Sequence, residues 1–121
     1  MWLFTIYGMY SATMSEKDRD IVKVRARNAQ HLKNLINRFP VKLKKHSTIH
    51  TDVGTDYHAR LFVPKNVWAD IVTQLTLDVD YSNFKDRAYR QVSKTRDNEY
   101  NTLLHQIWEF SYRYQNEVID N

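Results

Sequence analysis

Three cations alternate with apolar residues between positions 21 and 27, and this pattern is the one in the chain best suited to chemistry. Lys23, Arg25 and Arg27 are separated by Val24 and Ala26. Side chains in a β-strand point alternately to opposite faces, so the three cations would share one face at intervals of about 7 Å. Like charges in a row repel, and guanidinium groups bind phosphate oxygens through paired hydrogen bonds. The pattern therefore predicts a face that binds a phosphate-bearing ligand.

The run DYHARLFV predicts a further strand, at 57–63, that adds to this face. His58 and Arg60 would point the same way, whereas Tyr57 would point to the other side with the apolar residues. If the apolar sides of both strands meet the helices, parity places His58 and Arg60 beside the cations of the earlier strand. The predicted phosphate-binding residues, including one on a later basic rim, are Lys23, Arg25, Arg27, Arg60 and Lys85.

Metal-independent cleavage of RNA would require a base for the 2′-hydroxyl, an acid for the leaving oxygen and cations around the phosphorane. His58 and Tyr57 are the candidate catalytic acid and base, and the arginines are the cations. The alternative is a solvated face whose charge is balanced by nearby carboxylates; the available acids are Glu16, Asp18, Asp20 and Asp56.

Metal and nucleoside-triphosphate sites are not supported by the sequence. The chain has no Cys and two Gly, which excludes cysteine-ligated metals and a Gly-rich phosphate loop. His46 and His50 would lie about 13 Å apart on a strand, too far to share an ion. We therefore expect no metal and no cofactor.

The charge is unevenly distributed along the chain. Residues 1–96 contain 17 Lys and Arg against 9 Asp and Glu, a net charge of +8, whereas residues 97–121 contain 1 Arg against 5 acids, a net charge of −4. A basic body suits an anionic partner such as RNA or a cyclic oligonucleotide. No run of about 18 apolar residues could span a membrane, and the apolar start lacks the basic residues of a signal peptide. We expect no membrane partner and a cytoplasmic location.

The elements that would position these residues follow the order β-β-α-β-β-α-α, with an additional short helix expected around 84–92, before the last one. They predict one α+β domain over 1–121, a single antiparallel sheet with helices on one face. The strands are predicted at 2–13, 21–27, 42–51 and 57–63, and the helices from Asn28 to Pro40, after Pro64, around 84–92 and at 97–116. Asn28 is expected to cap the first helix, and Asn83 or Ser82 the third.

The last predicted helix carries apolar residues on more than one face. A peripheral helix of a monomer normally shows one apolar stripe. Here Phe110 and Tyr114 lie apart from the stripe that contains Leu104 and Trp108. The excess aromatic surface predicts a homodimer through this helix.

Several segments resemble those of a family of small bacterial and phage proteins that begin Met-Trp-Leu-x-Thr and carry Val-Arg-x-Arg, Asp-Tyr and Tyr-x-Asn-Phe-Lys segments. The matching residues here are 1–5, 24–27, 56–57 and 81–85, so the likeness spans nearly the whole chain. This resemblance implies no particular activity. As a class, small basic sheet-and-helix domains without metal motifs are also similar to ring nucleases of antiviral defence and to toxin-type messenger-RNA interferases.

Three functions follow as hypotheses. The first is a metal-independent phosphodiesterase, a ribonuclease or a ring-nuclease-like enzyme, acting on RNA or a cyclic oligonucleotide. The second is a non-catalytic protein that binds the same ligands with the same arginines and needs no histidine. The third is a phage-type inhibitor of a host nucleic-acid machine, for which the acidic tail and the aromatic last helix would matter more than the sheet.

Overall fold

The computed structural model describes residues 1–51, 56–95 and 97–120. In this part of the chain the backbone forms an α+β fold with one four-stranded antiparallel sheet, which confirms the predicted fold class. The chain packs as two compact units, Met1–Asp80 and Tyr81–Asn121. The single domain expected over 1–121 stays a prediction.

The first unit contains the sheet and two helices. Its elements are β1 (Trp2–Thr5), β2 (Gly8–Met14), β3 (Ile21–Ala26), α1 (Ala29–Arg38), β4 (Ala59–Pro64) and α2 (Lys65–Leu77). The strands lie in the order β1-β2-β3-β4, and every neighbouring pair is antiparallel. The register sets Ser11 opposite Arg25, and Arg25 opposite Arg60. This register decides which side chains share a face.

α1 and α2 pack on one face of the sheet, as predicted for these two helices. Asn28 caps α1, since its side-chain oxygen accepts a hydrogen bond from the Gln30 amide at 2.9 Å, and α1 ends two residues before Pro40. α2 starts directly after Pro64. The core between helices and sheet is apolar, and its fully buried members include Tyr10, Val24, Leu32, Leu35, Leu61 and Ile71.

The single strand expected over 2–13 is in fact a hairpin of two strands. Thr5 organises the two-residue turn, because its hydroxyl accepts from the amides of Tyr7 and Gly8, at 3.1 and 3.2 Å, and donates to the Gly8 carbonyl at 2.9 Å. Gly8 has a φ of +153°, and a Cβ added there would lie 2.4 Å from Cγ of His31. Only glycine fits this position, where β2 starts against α1. The continuous apolar pattern of the segment hides the turn.

The prediction of a strand over residues 42–51 is wrong. Residues 40–45 form turns, in which the Leu43 amide donates to the Phe39 carbonyl at 3.0 Å and the Leu43 side chain is buried. Within the described residues of this segment, only His50 pairs with the sheet, through two 3.0 Å backbone hydrogen bonds to Arg60. The turn expected at 52–55 lies outside the described residues.

Tyr7, Arg38 and Asp78 join the hairpin turn to the ends of both helices. Arg38 donates to both carboxylate oxygens of Asp78, at 2.9 and 2.7 Å, and the Tyr7 hydroxyl donates to the same carboxylate at 2.9 Å. Gln74 donates to it as well, at 3.1 Å. The Arg38 hydrogen bond holds the pKa of Asp78 below its ordinary value, and burial is the main cause that raises the pKa of Tyr7. The cluster therefore ties three separate elements of the first unit together.

The second unit is a pair of helices, α3 (Phe84–Thr95) and α4 (Asn98–Asp120). Asn83 caps α3 as expected, because its side-chain oxygen accepts from the Asp86 amide at 3.1 Å. α3 and α4 pack together. Residues 110–120 of α4, by contrast, are all exposed. Within the described ranges, every helix is too short or too polar to span a membrane.

Candidate phosphate-binding site

The sheet face opposite α1 and α2 carries the cationic residues that the sequence singled out. We call it the arginine face and define it by Trp2, Ser11, Lys23, Arg25, Arg60 and Phe62. They share this face because the register pairs them with one another, while their neighbours along each strand point into the core. The parity argument is thus confirmed for Lys23, Arg25 and Arg60.

Arg25 and Arg60 are the centre of this face. They lie directly opposite each other on β3 and β4. Arg25 also donates to the hydroxyl of Ser11, its neighbour on β2, at 2.9 Å. Arg60 donates to the Tyr57 carbonyl at 3.3 Å. Two guanidinium groups are therefore held side by side on neighbouring strands, β3 and the edge strand β4.

Tyr57 does not point to the side of the sheet that strand parity predicts for it. β4 begins at Ala59, so strand alternation does not extend back to Tyr57. Its ring instead lies against two guanidinium groups, with ring-centroid distances of 4.4 Å to Arg25 and 4.2 Å to Arg27. Such stacking is favourable because a cation is attracted to the face of an aromatic ring. Tyr57, only 4% exposed, thus positions the arginines on their own face of the sheet.

Two of the expected cations are already balanced by carboxylates. Nζ of Lys23 lies 2.6 Å from a carboxylate oxygen of Glu16, and the Lys23 side chain is 12% exposed. This hydrogen bond lowers the pKa of Glu16. Arg27 makes a longer, exposed ion pair of 3.4 Å with Asp56. The carboxylate-balanced alternative is right for these two cations, so a phosphate group would have to compete with Glu16 and Asp56 there.

The candidate catalytic residues differ sharply in their surroundings. His58 is exposed and lies just before β4. Among the described residues its imidazole has no hydrogen-bond, ion-pair or ring partner, so no second group orients it as an acid or a base. Tyr57 is buried against the arginines, which leaves its ring little access to a substrate. The expected acid–base pair is therefore not assembled in this structure.

Two of the remaining histidines, His31 and His50, have contacts of their own within the described part of the chain. Across the described ranges, no group of three or more His, Asp or Glu side chains could hold an ion. His31 is buried, and its ring nitrogen accepts a 3.3 Å hydrogen bond from the Met9 amide. His50 packs its ring edge-on against Phe62 at 5.5 Å. The side chains of His31 and His50 are therefore both engaged in contacts within the fold.

Lys85 belongs to the second unit, where its Nζ lies 4.6 Å from the ring centroid of Trp108. Trp108 also stacks on Tyr112 at 5.4 Å. Lys85 lines a cleft of about 200 Å³ between α3 and α4, whose other residues are Asp86, Tyr89, Asn101, Leu104 and His105. The ammonium group of Lys85 therefore contacts an aromatic side chain of α4.

Two aromatic residues of the arginine face, Trp2 and Phe62, are not among the residues predicted from the sequence. The sequence predicts a strand covered on both sides at Trp2, because the hairpin turn after Thr5 is hidden in an apolar run. Phe62 follows Arg60 by two residues, so the same alternation that found Arg60 could have found it. The generally apolar character of that strand conceals its outward position.

Comparisons with protein families, curated proteins and solved structures find no match to this chain. The resemblance to the small bacterial and phage family stays a prediction. The geometry of the arginine face and of α4 is therefore the basis for a function.

Proposed function

We propose that the arginine face binds the phosphodiester groups of RNA or of a cyclic oligonucleotide. The observation that supports this is the pair Arg25 and Arg60, set directly opposite each other on neighbouring strands. Two guanidinium groups at neighbouring positions bring N–H donors close enough together to bind the oxygens of one phosphate-bearing ligand. Such ligands occur in the cytoplasm, and a cytoplasmic location is part of the proposal.

The chemistry of the pair suits a phosphate group. The planar guanidinium fork fits phosphate oxygens, and because Nε of both Arg25 and Arg60 is buried, their terminal nitrogens would bind the ligand. Arg25 uses one of its terminal nitrogens for Ser11, and stacking on Tyr57 fixes the plane of the group. A guanidinium held in one orientation loses less conformational entropy when it binds a ligand.

Replacing Arg25 with Gln is expected to weaken RNA binding about tenfold, because a charge-assisted hydrogen bond to phosphate is lost. The slope of log affinity against log salt should also fall by about 1. Fluorescence anisotropy with a labelled ten-nucleotide RNA at several salt concentrations measures both quantities. Lys33→Ala removes the same charge from an exposed position on α1 and should leave the affinity nearly unchanged. Equal losses in the two variants would contradict a site at Arg25.

Cleavage of the bound phosphodiester is a second candidate function, favoured by the exposed imidazole of His58 next to β4. His58 would act as acid or base, with Tyr57 holding the arginines. The same RNA, and cyclic oligoadenylate, can be incubated with the protein in EDTA. Products that disappear with His58→Ala would establish cleavage, whereas intact ligand in every reaction would leave binding alone.

We also propose a homodimer through the outer half of α4. Its charged residues and Asn116 follow helical spacing and form one polar stripe, made of Glu109, Arg113, Asn116, Glu117 and Asp120. Ser111 and Gln115 are the polar residues of this segment that lie outside the stripe. The rest of its surface there is largely apolar, with large exposed side chains Trp108, Phe110, Tyr112, Tyr114, Val118 and Ile119. An unpartnered face of this kind marks an interaction site.

A second copy of this chain fits that face by length and by area. The exposed stretch 110–120 is nearly as long as α3, the helix that packs on α4 within the unit. Four aromatic rings that are 50% to 68% exposed would each bury about 100 Å². Two copies would then bury roughly 800 Å² through these rings, and Val118 and Ile119 would bring the total towards the roughly 1,000 Å² of a specific interface. The acidic residues of the polar stripe disfavour an anionic membrane or a nucleic acid as the occupant.

Tyr114→Arg combined with Val118→Lys is expected to convert a dimer into a monomer, since it places unpaired like charges in the apolar interface. Sedimentation velocity across a range of protein concentrations measures this. Asn116→Lys adds a charge on the polar stripe and should leave the dimer intact. A wild-type protein that sediments as a monomer at all concentrations would contradict the proposed dimer.

A further inference from the structure

We propose that the arginine face binds single-stranded RNA by stacking bases on Trp2 and Phe62, while Arg25 and Arg60 hold the phosphates between them. This rests on the proposed binding function and specifies the form of the ligand. The two aromatic side chains carry the inference, because they are exposed on the same face as the arginines, Trp2 by 67% and Phe62 by 39%.

Trp2 stands at one end of a row of side chains that crosses the sheet. Trp2 on β1 is opposite Ser11, and from there the register continues to Arg25 and Arg60. Neighbouring strands are about 4.8 Å apart, so Trp2 lies roughly 14 Å from Arg60. Ser11 is 1% exposed, which leaves the indole and the guanidinium groups as the groups in this row that reach a ligand.

Phe62 stands at the other side of the arginines. It follows Arg60 by two residues, about 7 Å along β4, on the same face. The ring of His50 packs against it in a T-shaped arrangement, at an interplanar angle of 72°, and Phe62 is still 39% exposed. Trp2 and Phe62 are then separated by about 16 Å, with Arg25 and Arg60 between them.

Aromatic rings beside cations on one surface match the chemistry of a single strand. Such surfaces combine charge for the backbone with rings on which bases stack, and every base has a π-face. An acidic peptide or polyphosphate would use the arginines but would leave Trp2 and Phe62 in water. A duplex keeps its base faces stacked inside, so its bases could not reach the rings.

The separation of the two rings sets an approximate length for the ligand. At about 3.4 Å per stacked nucleotide, 16 Å corresponds to roughly five nucleotide steps. The face therefore favours a linear strand of about this length or longer over a compact cyclic oligonucleotide.

The test compares oligouridine of ten nucleotides, a small cyclic oligoadenylate and inorganic polyphosphate, which has no bases. Trp2→Leu and Phe62→Leu keep an apolar side chain and remove the ring. Tyr89→Leu removes an exposed ring from α3 as the matched control. In a Trp108→Phe background, Trp2 is the exposed tryptophan, since Trp68 is buried, so fluorescence quenching reports contact with its indole.

We expect oligouridine to quench Trp2 fluorescence and to bind Trp2→Leu and Phe62→Leu about fivefold or more weakly than the wild type, as loss of one stacked base predicts, whereas the control variant should bind as the wild type does. Polyphosphate affinity should change only with Arg25→Gln, and the cyclic ligand should bind more weakly than oligouridine. Unchanged oligouridine affinity of Trp2→Leu and Phe62→Leu would overturn stacking and leave phosphate binding intact. Tighter binding of the cyclic ligand than of oligouridine would overturn the inference that the face prefers a linear strand. Absence of binding by all three ligands would overturn the proposed function and this inference together.

Discussion

Gly8→Ala is expected to lower the free energy of unfolding by about 3 kcal/mol, combining a strained positive φ with an overpacked contact. The new methyl group would lie 2.4 Å from Cγ and 2.6 Å from Cβ of His31, and Gly8 has a φ of +153° that L side chains rarely adopt. This is a large part of the 5–15 kcal/mol typical of a folded domain. Urea unfolding followed by circular dichroism measures the loss, and the melting temperature should fall by at least about 10 °C.

A double-mutant cycle separates the two causes. His31→Ala removes the ring atoms that approach Gly8 but leaves the backbone strain and the contact with Cβ. The double variant should therefore be more stable than the sum of the single losses predicts, by about 1 kcal/mol. Strict additivity would show that the His31 ring does not require glycine at this position.

Asp78→Asn is expected to lower the free energy of unfolding by about 2 kcal/mol at pH 7, because Arg38 and Tyr7 lose a charged hydrogen-bond partner that is mostly buried. Tyr7→Phe keeps the ion pair and should cost less, about 1 kcal/mol. Asp70→Asn removes the same charge from an exposed position on α2 and should change stability by less than about 0.5 kcal/mol.

The pH dependence of this loss has a defined sign. The folded-state pKa of Asp78 is depressed, with Arg38 as the main cause, so its contribution is complete above the unfolded value near 3.9. It disappears as pH falls through the folded pKa. The difference between wild type and Asp78→Asn should therefore shrink below about pH 4, in urea titrations at successive pH values. A constant difference down to pH 2.5 would contradict the assigned ion pair.

Regular periodicity made much of the fold predictable. Four helix boundaries were predicted from a capping residue or a proline next to a periodic apolar segment, and the structure confirms each to within about two residues. These residues are Asn28, Pro40, Pro64 and Asn83. Alternation around Arg25 likewise predicted which face carries the cations. These features are local, so they can be read from a few neighbouring residues.

The errors have a common physical origin in long-range contacts. The turn at Thr5 depends on a side-chain hydroxyl, and the need for Gly8 arises from His31, 23 positions later. The burial of Leu43 draws the segment after Pro40 into turns, whereas its polar and apolar pattern suggests a strand. Such partners are adjacent only in the folded chain.

The site was predicted in part for the same reason. Strand parity identifies Lys23 and Arg25 as neighbours but does not reveal that Glu16 binds Lys23 across a turn. Strand parity also fails for Tyr57, because this residue precedes β4 and its ring contacts Arg25 and Arg27 through tertiary packing. Charge pattern locates a candidate surface, and only the packed structure tells which charges are already compensated.

The backbone bridge between His50 and Arg60 limits how other proteins could recognise this sheet. Both outward-facing main-chain groups of Arg60 are occupied by His50, at 3.0 Å each. An extended peptide that adds to a sheet edge needs those groups as hydrogen-bond partners. β-augmentation along β4 is thereby blocked at its start, which also protects this edge against aggregation. Recognition at this position must therefore come from the side chains of the face, and not from the backbone of the edge.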